Sequence, residues 1–188
     1  MKQSEIVKQL TDKELMIQVI FSQLVFITIS IISSFLLFEH FTDWLDYFSF
    51  NDKAIIYYGV IPALIVVSID IILSLVLPKH LLDDGGINEK LFKTRTVTEI
   101  IFIAAVVAIA EELLFRGVIQ TTFGFIIASV VFTLVHIRYL KKPILLISVL
   151  ILSFYLGYAY EVTGNLLVTI TAHFIIDLLL GLFIRFQK

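Results

Sequence analysis

Cysteine does not occur in the sequence. Its absence excludes disulfides, thiolate metal sites and a cysteine nucleophile together, and leaves the redox compartment open. Charge is scarce as well. Asp, Glu, Lys and Arg make up 16% of the 188 residues, against ~25% in an ordinary globular chain. The net charge of −2 offers no basic field to a nucleic-acid partner, so none is expected. No Gly-x-Ser-x-Gly is present, which disfavours a serine hydrolase. Internal repeats and low-complexity linkers are also missing.

Apolar residues fill the space left by charge. They reach 59%, where soluble chains hold ~45–50%. The common cause of such an excess is a surface that faces the lipid bilayer. The sequence predicts an all-α, polytopic membrane bundle of about six transmembrane helices, a single integral membrane domain over residues 1–188. The predicted spans are 16–38, 54–78 (kinked at Pro62), 97–122, 123–136 or a little beyond, 143–160 and 166–184. The first is too long for a signal-peptide core and no small-residue cleavage site follows it, so it is read as retained. Thr96-Val97-Thr98-Glu99 reads as a capping box opening the third span.

Positive charge orders the spans. Lys2, Lys8 and Lys13 precede the first. Only Lys53 follows it. Lys79, Lys90, Lys93 and Arg95 follow the second, and Arg138, Lys141 and Lys142 follow the fourth. The loop after the fifth has none, and Arg185 and Lys188 end the chain. Rich and poor loops alternate, so both termini are expected in the cytoplasm.

Ionisable residues inside spans are costly, roughly 2.5–3.5 kcal/mol each, and usually serve function. They are Asp70, Glu111, Glu112, Arg116, His136, His173 and Asp177. Counted along the helices at ~1.5 Å per residue, Glu111, His136, His173 and Asp177 reach similar depth. Glu112 and Arg116 are four apart and are expected to form a buried structural pair. Glu111 is turned about 100° away and has no local partner, which favours it for chemistry. The blander alternatives are specific. Glu111 could bond a hydroxyl such as that of Thr133, His136 could be a satisfied core histidine, and Asp177 could simply partner His173. Asp70 is expected to bond a neighbouring helix or Arg116. Gly117 and Gly157 are expected to permit close helix contact. The aromatic residues are expected mostly at lipid or interface.

Three motifs in one order carry a resemblance. Glu111-Glu112-Leu113-Leu114-Phe115-Arg116 resembles EExxxR, Phe132 to His136 resembles FxxxH, and His173 to Asp177 resembles HxxxN or HxxxD. Gly157 to Asn165 resembles the stretch that precedes the last of these. Together they are similar to the CPBP family, the CAAX prenyl protease 2-like or Abi membrane peptidases, over a core at residues 98–180. The resemblance implies an intramembrane endopeptidase for a peptide or protein substrate. In it Glu111 and His136 activate water, while His173 and Asp177 bind the oxyanion. Glu112 and Arg116 support them. Eukaryotic members mostly carry Asn where this chain has Asp177, and bacterial relatives use either. An ionised Asp cannot donate to an oxyanion, so Asp177 is either protonated or orients His173. The resemblance also implies a bacterial plasma membrane, a site opening to the inner side, and peptide processing or bacteriocin immunity as roles. No cofactor is expected. Two histidines with carboxylates could bind zinc, but His-Glu-x-x-His is absent, and adjacent Glu111 and Glu112 cannot face one ion equally. A proton- or ion-coupled transporter and a catalytically silent binding or immunity protein are the competing functions.

Overall fold

A computed structural model describes Val7 and residues 9–187. Lys2, Lys8 and Lys188, which enter the charge argument, lie outside the described residues. The chain is an all-helical membrane bundle. α1 spans Asp12–Leu37 and α2 Asp52–Val76. A short α3 covers Ile87–Phe92. α4 runs over Val97–Glu112 and continues without a break through the π-helical stretch Leu113–Gln120 and Thr121–Phe123. α5 is Phe125–Val135, α6 Pro143–Thr163 and α7 Leu166–Phe186. Among the described residues, α1, α2, α6 and α7 are long and apolar enough to cross a membrane. α4 has the length but carries the ionisable residues Glu111, Glu112 and Arg116.

Local chemistry sets these limits. At α1, Thr11 accepts from Glu14 N (3.2 Å) and the Glu14 carboxylate accepts from Thr11 N (2.7 Å). That box starts the helix four residues before the predicted span. The box expected at Thr96 and Glu99 forms at α4 with the same geometry. α7 is opened by Asn165, whose side chain accepts from Leu167 N and from Ser49 N and donates to Ser49 O. One amide thus caps the last helix and pins the loop before α2.

Pro62 acts as expected of a helix disruptor. It has no N–H for the carbonyl of Tyr58, four residues earlier. The helix widens to a π form over Ile55–Val60, and the Tyr155 hydroxyl donates to the freed Tyr58 oxygen (2.5 Å).

The fourth predicted span is corrected. α5 has 11 residues, about 16 Å of helix, half of a ~30 Å hydrocarbon layer. The helical pattern stops at His136 (φ −78°, ψ 54°) and tightens to a 3₁₀ turn over Ile137–Tyr139. Pro143 then disfavours helical backbone at Lys142, which is non-helical (φ −125°, ψ 88°).

The helices meet in fixed register. Arg116 of α4 and Ser129 of α5 both reach Ser153 of α6. Gln120 reaches Gly157 four residues on, and a Cβ added at Gly157 would stand 2.7 Å from the Phe125 ring. So α4 and α6 run parallel, with α5 antiparallel between them. α7 returns along α4, with Leu166 beside Gly117, His173 beside Glu112 and Gly181 beside Ile100. Glycine permits the close α5–α6 approach at Gly157, as expected. Gly117 meets α7 at Leu166 and, more closely, Trp44 on the 3₁₀ segment Phe41–Tyr47. Many aromatics do face outward, but Phe92, Phe115 and Phe132 are buried.

A Cβ at Gly117 would lie 2.5 Å from the Trp44 ring. Gly117→Ala is expected to destabilise the bundle by about 1–3 kcal/mol through overpacking. Gly117→Ala with Trp44→Leu is expected to recover most of the loss. The thermal aggregation midpoint of detergent-solubilised protein measures both.

Candidate active site

Glu111 and Glu112 end the regular part of α4, where the backbone passes into the π-helical stretch. Arg116 lies one turn on. Its guanidinium has no exposed surface, and neither has Glu112. Nη1 donates to Glu112 Oε1 (3.2 Å), and Nη2 donates to Ser153 O (3.0 Å) and approaches Ser153 Oγ (3.3 Å). The Phe132 ring lies under the guanidinium, 4.4 Å from its carbon. This is the expected structural pair, extended by a backbone carbonyl and an aromatic face. Asp70 is not among the Arg116 partners, so that expectation is corrected; α2 holds Asp70 half-buried.

The same Glu112 oxygen accepts from His173 Nδ1 (2.9 Å). A carboxylate can only accept here, so Nδ1 carries a proton. His173 Nε2 then looks toward two other carboxylates, Glu111 Oε2 at 3.9 Å and Asp177 Oδ2 at 3.6 Å. Both lie beyond hydrogen-bonding length. Glu111 is 7% exposed, and its Oε2 has no hydrogen-bond partner among the described residues. Thr133 donates to Ser129 O (3.0 Å), so the expected alternative bond from Thr133 to Glu111 does not form. The Asp177 side chain is 31% exposed and marks the open side of the cluster.

His136 sits where α5 ends. Its Nδ1 donates to Phe132 O (2.8 Å), which leaves Nε2 disengaged. No hydrogen bond joins it to Glu111 among the described residues. Phe132 connects the two halves: its ring is 4.8 Å from that of His136 and 6.0 Å from that of His173. The structure therefore gathers Glu111, Glu112, Arg116, His173 and Asp177 directly, and brings His136 in across Phe132. Sequence reasoning noted Phe132 four residues before His136 but gave it no role, and missed Ser153, Ser129 and Gln120. The serines carried no signal, because a lone hydroxyl in an apolar helix usually bonds its own turn. Among the described residues, no group of three or more His, Cys, Asp or Glu side chains has the arrangement to hold a metal ion.

Arg116→Met strands the Glu112 carboxylate in the bundle and is expected to destabilise it by about 3–5 kcal/mol. Arg116→Lys keeps the charge but cannot fork between Glu112 and Ser153, so its loss should be intermediate. Thermal aggregation midpoints of the two variants beside the natural chain check the order.

Comparison with known proteins bears on this same region. The family model described as Type II CAAX prenyl endopeptidase Rce1-like matches residues 93–179, from just before α4 into α7. The uncharacterized protein YpbD of Bacillus subtilis (strain 168) is 46% identical over 166 residues, covering 88% of this chain and 88% of its own. No solved structure matches the chain. With a relative so similar over nearly its whole length, and a family model lying across every helix that supplies the cluster, the chain belongs to the CPBP family of CAAX prenyl protease 2-like membrane peptidases.

Proposed function

We propose that this protein is an intramembrane endopeptidase that hydrolyses a peptide bond with water activated by Glu111. One observation carries the reading. Glu111 is a buried carboxylate with an unbonded oxygen, beside an imidazole already oriented by a separate ion pair. Glu112 also leaves one oxygen unbonded, but its other oxygen is held by Arg116 and His173; no hydrogen bond from another described residue holds Glu111.

The chemistry follows from the donors. A water between Glu111 and His136 gives its proton to the carboxylate and attacks the peptide carbonyl carbon. The carbonyl oxygen becomes an oxyanion. His173 Nδ1–H is committed to Glu112, so Nε2 can donate only when the ring carries both protons. Glu112, Glu111 and Asp177 surround the ring. Because Glu111 and Asp177 stand at 3.9 and 3.6 Å, the Nε2–H is open to an incoming oxyanion. Asp177 serves here as an orienting charge rather than as a donor. Collapse of the intermediate breaks the C–N bond, and the proton held by Glu111 passes to the leaving amine.

The substrate is a peptide or protein reached from the membrane surface, and the site opens toward the cytoplasm. The end of the bundle where α1 begins supports this. There Arg95 bonds Asp12 O, Lys90 bonds Val7 O, Arg138 approaches Asp84 and Lys142 approaches Asp83. Basic residues collect at that end, as on a cytoplasmic face. The Bacillus subtilis relative supports a bacterial plasma membrane. Peptide processing and bacteriocin immunity are the roles that fit. Convergence of the titratable groups on one cluster favours hydrolysis over a relay that must span the membrane.

Glu111→Gln preserves size and removes the base. Membrane and secreted peptides are compared between cells with the natural chain and with the variant. At least one precursor should accumulate in the variant, its cleavage slowed about 100-fold or more. Unchanged peptides with an altered pH gradient in vesicles would establish transport instead. A phenotype that survives the substitution would establish partner binding.

A further inference from the structure

His136 lies beyond the last regular turn of α5, where no helical backbone holds it. Its ring is nonetheless enclosed. Phe132 covers one face, and Tyr139 lies nearly parallel on another side (centroids 6.0 Å, planes 14° apart). Tyr139 is 7% exposed although it sits in a loop. Its backbone N donates to His136 O (2.8 Å), and its hydroxyl accepts from Asn88 Nδ2 (3.3 Å). Asn88 lies in α3, distant in sequence. The preceding turn fixes it: Asp84 accepts from Ile87 N (3.0 Å) and from Asn88 N (2.9 Å), while Asp83 accepts from Gly85 N and Gly86 N. Gly86, at φ +79°, makes that turn possible. α3 is itself anchored through Lys90, which donates to Val7 O and Leu10 O. A series of contacts thus leads from the turn before α3, through Asn88 and Tyr139, to the His136 ring.

We propose that Asn88 and Tyr139 are positioning residues that hold the His136 imidazole with Nδ1 protonated and Nε2 bare. The inference rests on the peptidase reading for its purpose, and on geometry alone for its content. A ring nitrogen that accepts a hydrogen bond from the attacking water must present its lone pair. The tautomer is fixed by the hydrogen bond at the other nitrogen. Phe132 O accepts from Nδ1 only while the ring keeps its present rotation, and Tyr139 blocks the alternative. A free neutral imidazole in water favours the opposite tautomer, with the proton on Nε2. The clamp therefore selects the less common form, the one suited to a base.

The experiment reads the tautomer directly. Natural chain in detergent micelles is labelled with ¹⁵N-histidine, with His40→Asn and His80→Asn removing two signals and His136→Asn assigning the third. His136 should appear as the Nδ1–H form. Asn88→Ala and Tyr139→Phe should each convert a large share to Nε2–H, and the pair together should do no more than either alone. Asn88→Asp, which can accept from the tyrosine hydroxyl, should restore the original form. Gly117→Ala, expected to loosen the bundle elsewhere, should leave the tautomer unchanged. On the precursor that accumulates with Glu111→Gln, Tyr139→Phe should lower kcat about 10-fold with little change in KM. Retention of the Nδ1–H form in both Asn88→Ala and Tyr139→Phe overturns the proposal. So does a Gly117→Ala shift as large as theirs. The tautomer needs no turnover, so a chain that cleaves nothing would sink the peptidase reading while this measurement still decides the clamp.

Discussion

Arg116 is a full positive charge with no exposed surface, in a bundle whose outer face is apolar side chains. Such a group persists in a membrane protein only where its donors meet acceptors. Glu112 supplies charge, Ser153 supplies a backbone oxygen and Phe132 supplies a π face. Each acceptor belongs to a different helix: α4, α6 and α5. The arginine therefore fixes the mutual register of three helices while it neutralises the carboxylate that orients His173 on a fourth. A change at Ser153 or Phe132 would be felt at His173 without touching it, because the intermediate group is the Glu112–Arg116 pair.

The irregular backbone lies where that arrangement needs it. The π-helical stretch begins directly after Glu112, and such turns often mark functional sites in helices. α5 stops at half the membrane thickness, and the chain leaves the helix at His136. Non-helical backbone at such depth is tolerated where it is enclosed by protein or lines a cavity. The turns around Tyr139 meet the first condition through Asn88. A full-length α5 would carry the chain past the cluster.

Much of this was legible in the sequence, for identifiable reasons. Long apolar runs announced α1, α2, α6 and α7, because lipid demands length and hydrophobicity together. The Thr96–Glu99 box was readable because its chemistry is local. The Glu112–Arg116 pair followed from helical spacing. The limits of α5 were read to within two residues, while the 3₁₀ turn that follows His136 was not. The Asp83-Asp84-Gly85-Gly86 turn read as ordinary, and locally it is. Its reach to Tyr139 through Asn88 depends on a contact between distant segments, which no local pattern encodes. Asp70 was expected to bond a neighbouring helix or Arg116, and neither bond forms among the described residues. The guanidinium already had nearer partners on α4 and α6, and those are visible only once the helices are in register.

The three carboxylates around His173 divide its work by distance. Glu112 is at 2.9 Å and takes a proton-bearing nitrogen, which settles ring orientation. Asp177 at 3.6 Å and Glu111 at 3.9 Å are too far to bond the other nitrogen. Had either moved a few tenths of an ångström closer, it would have occupied Nε2. An asparagine in place of Asp177 could donate for itself, but would supply no charge. Under the proposed reading, aspartate leaves the oxyanion to His173 and orients that ring. His173 is then the one donor on this helix, where an asparagine would have made a second.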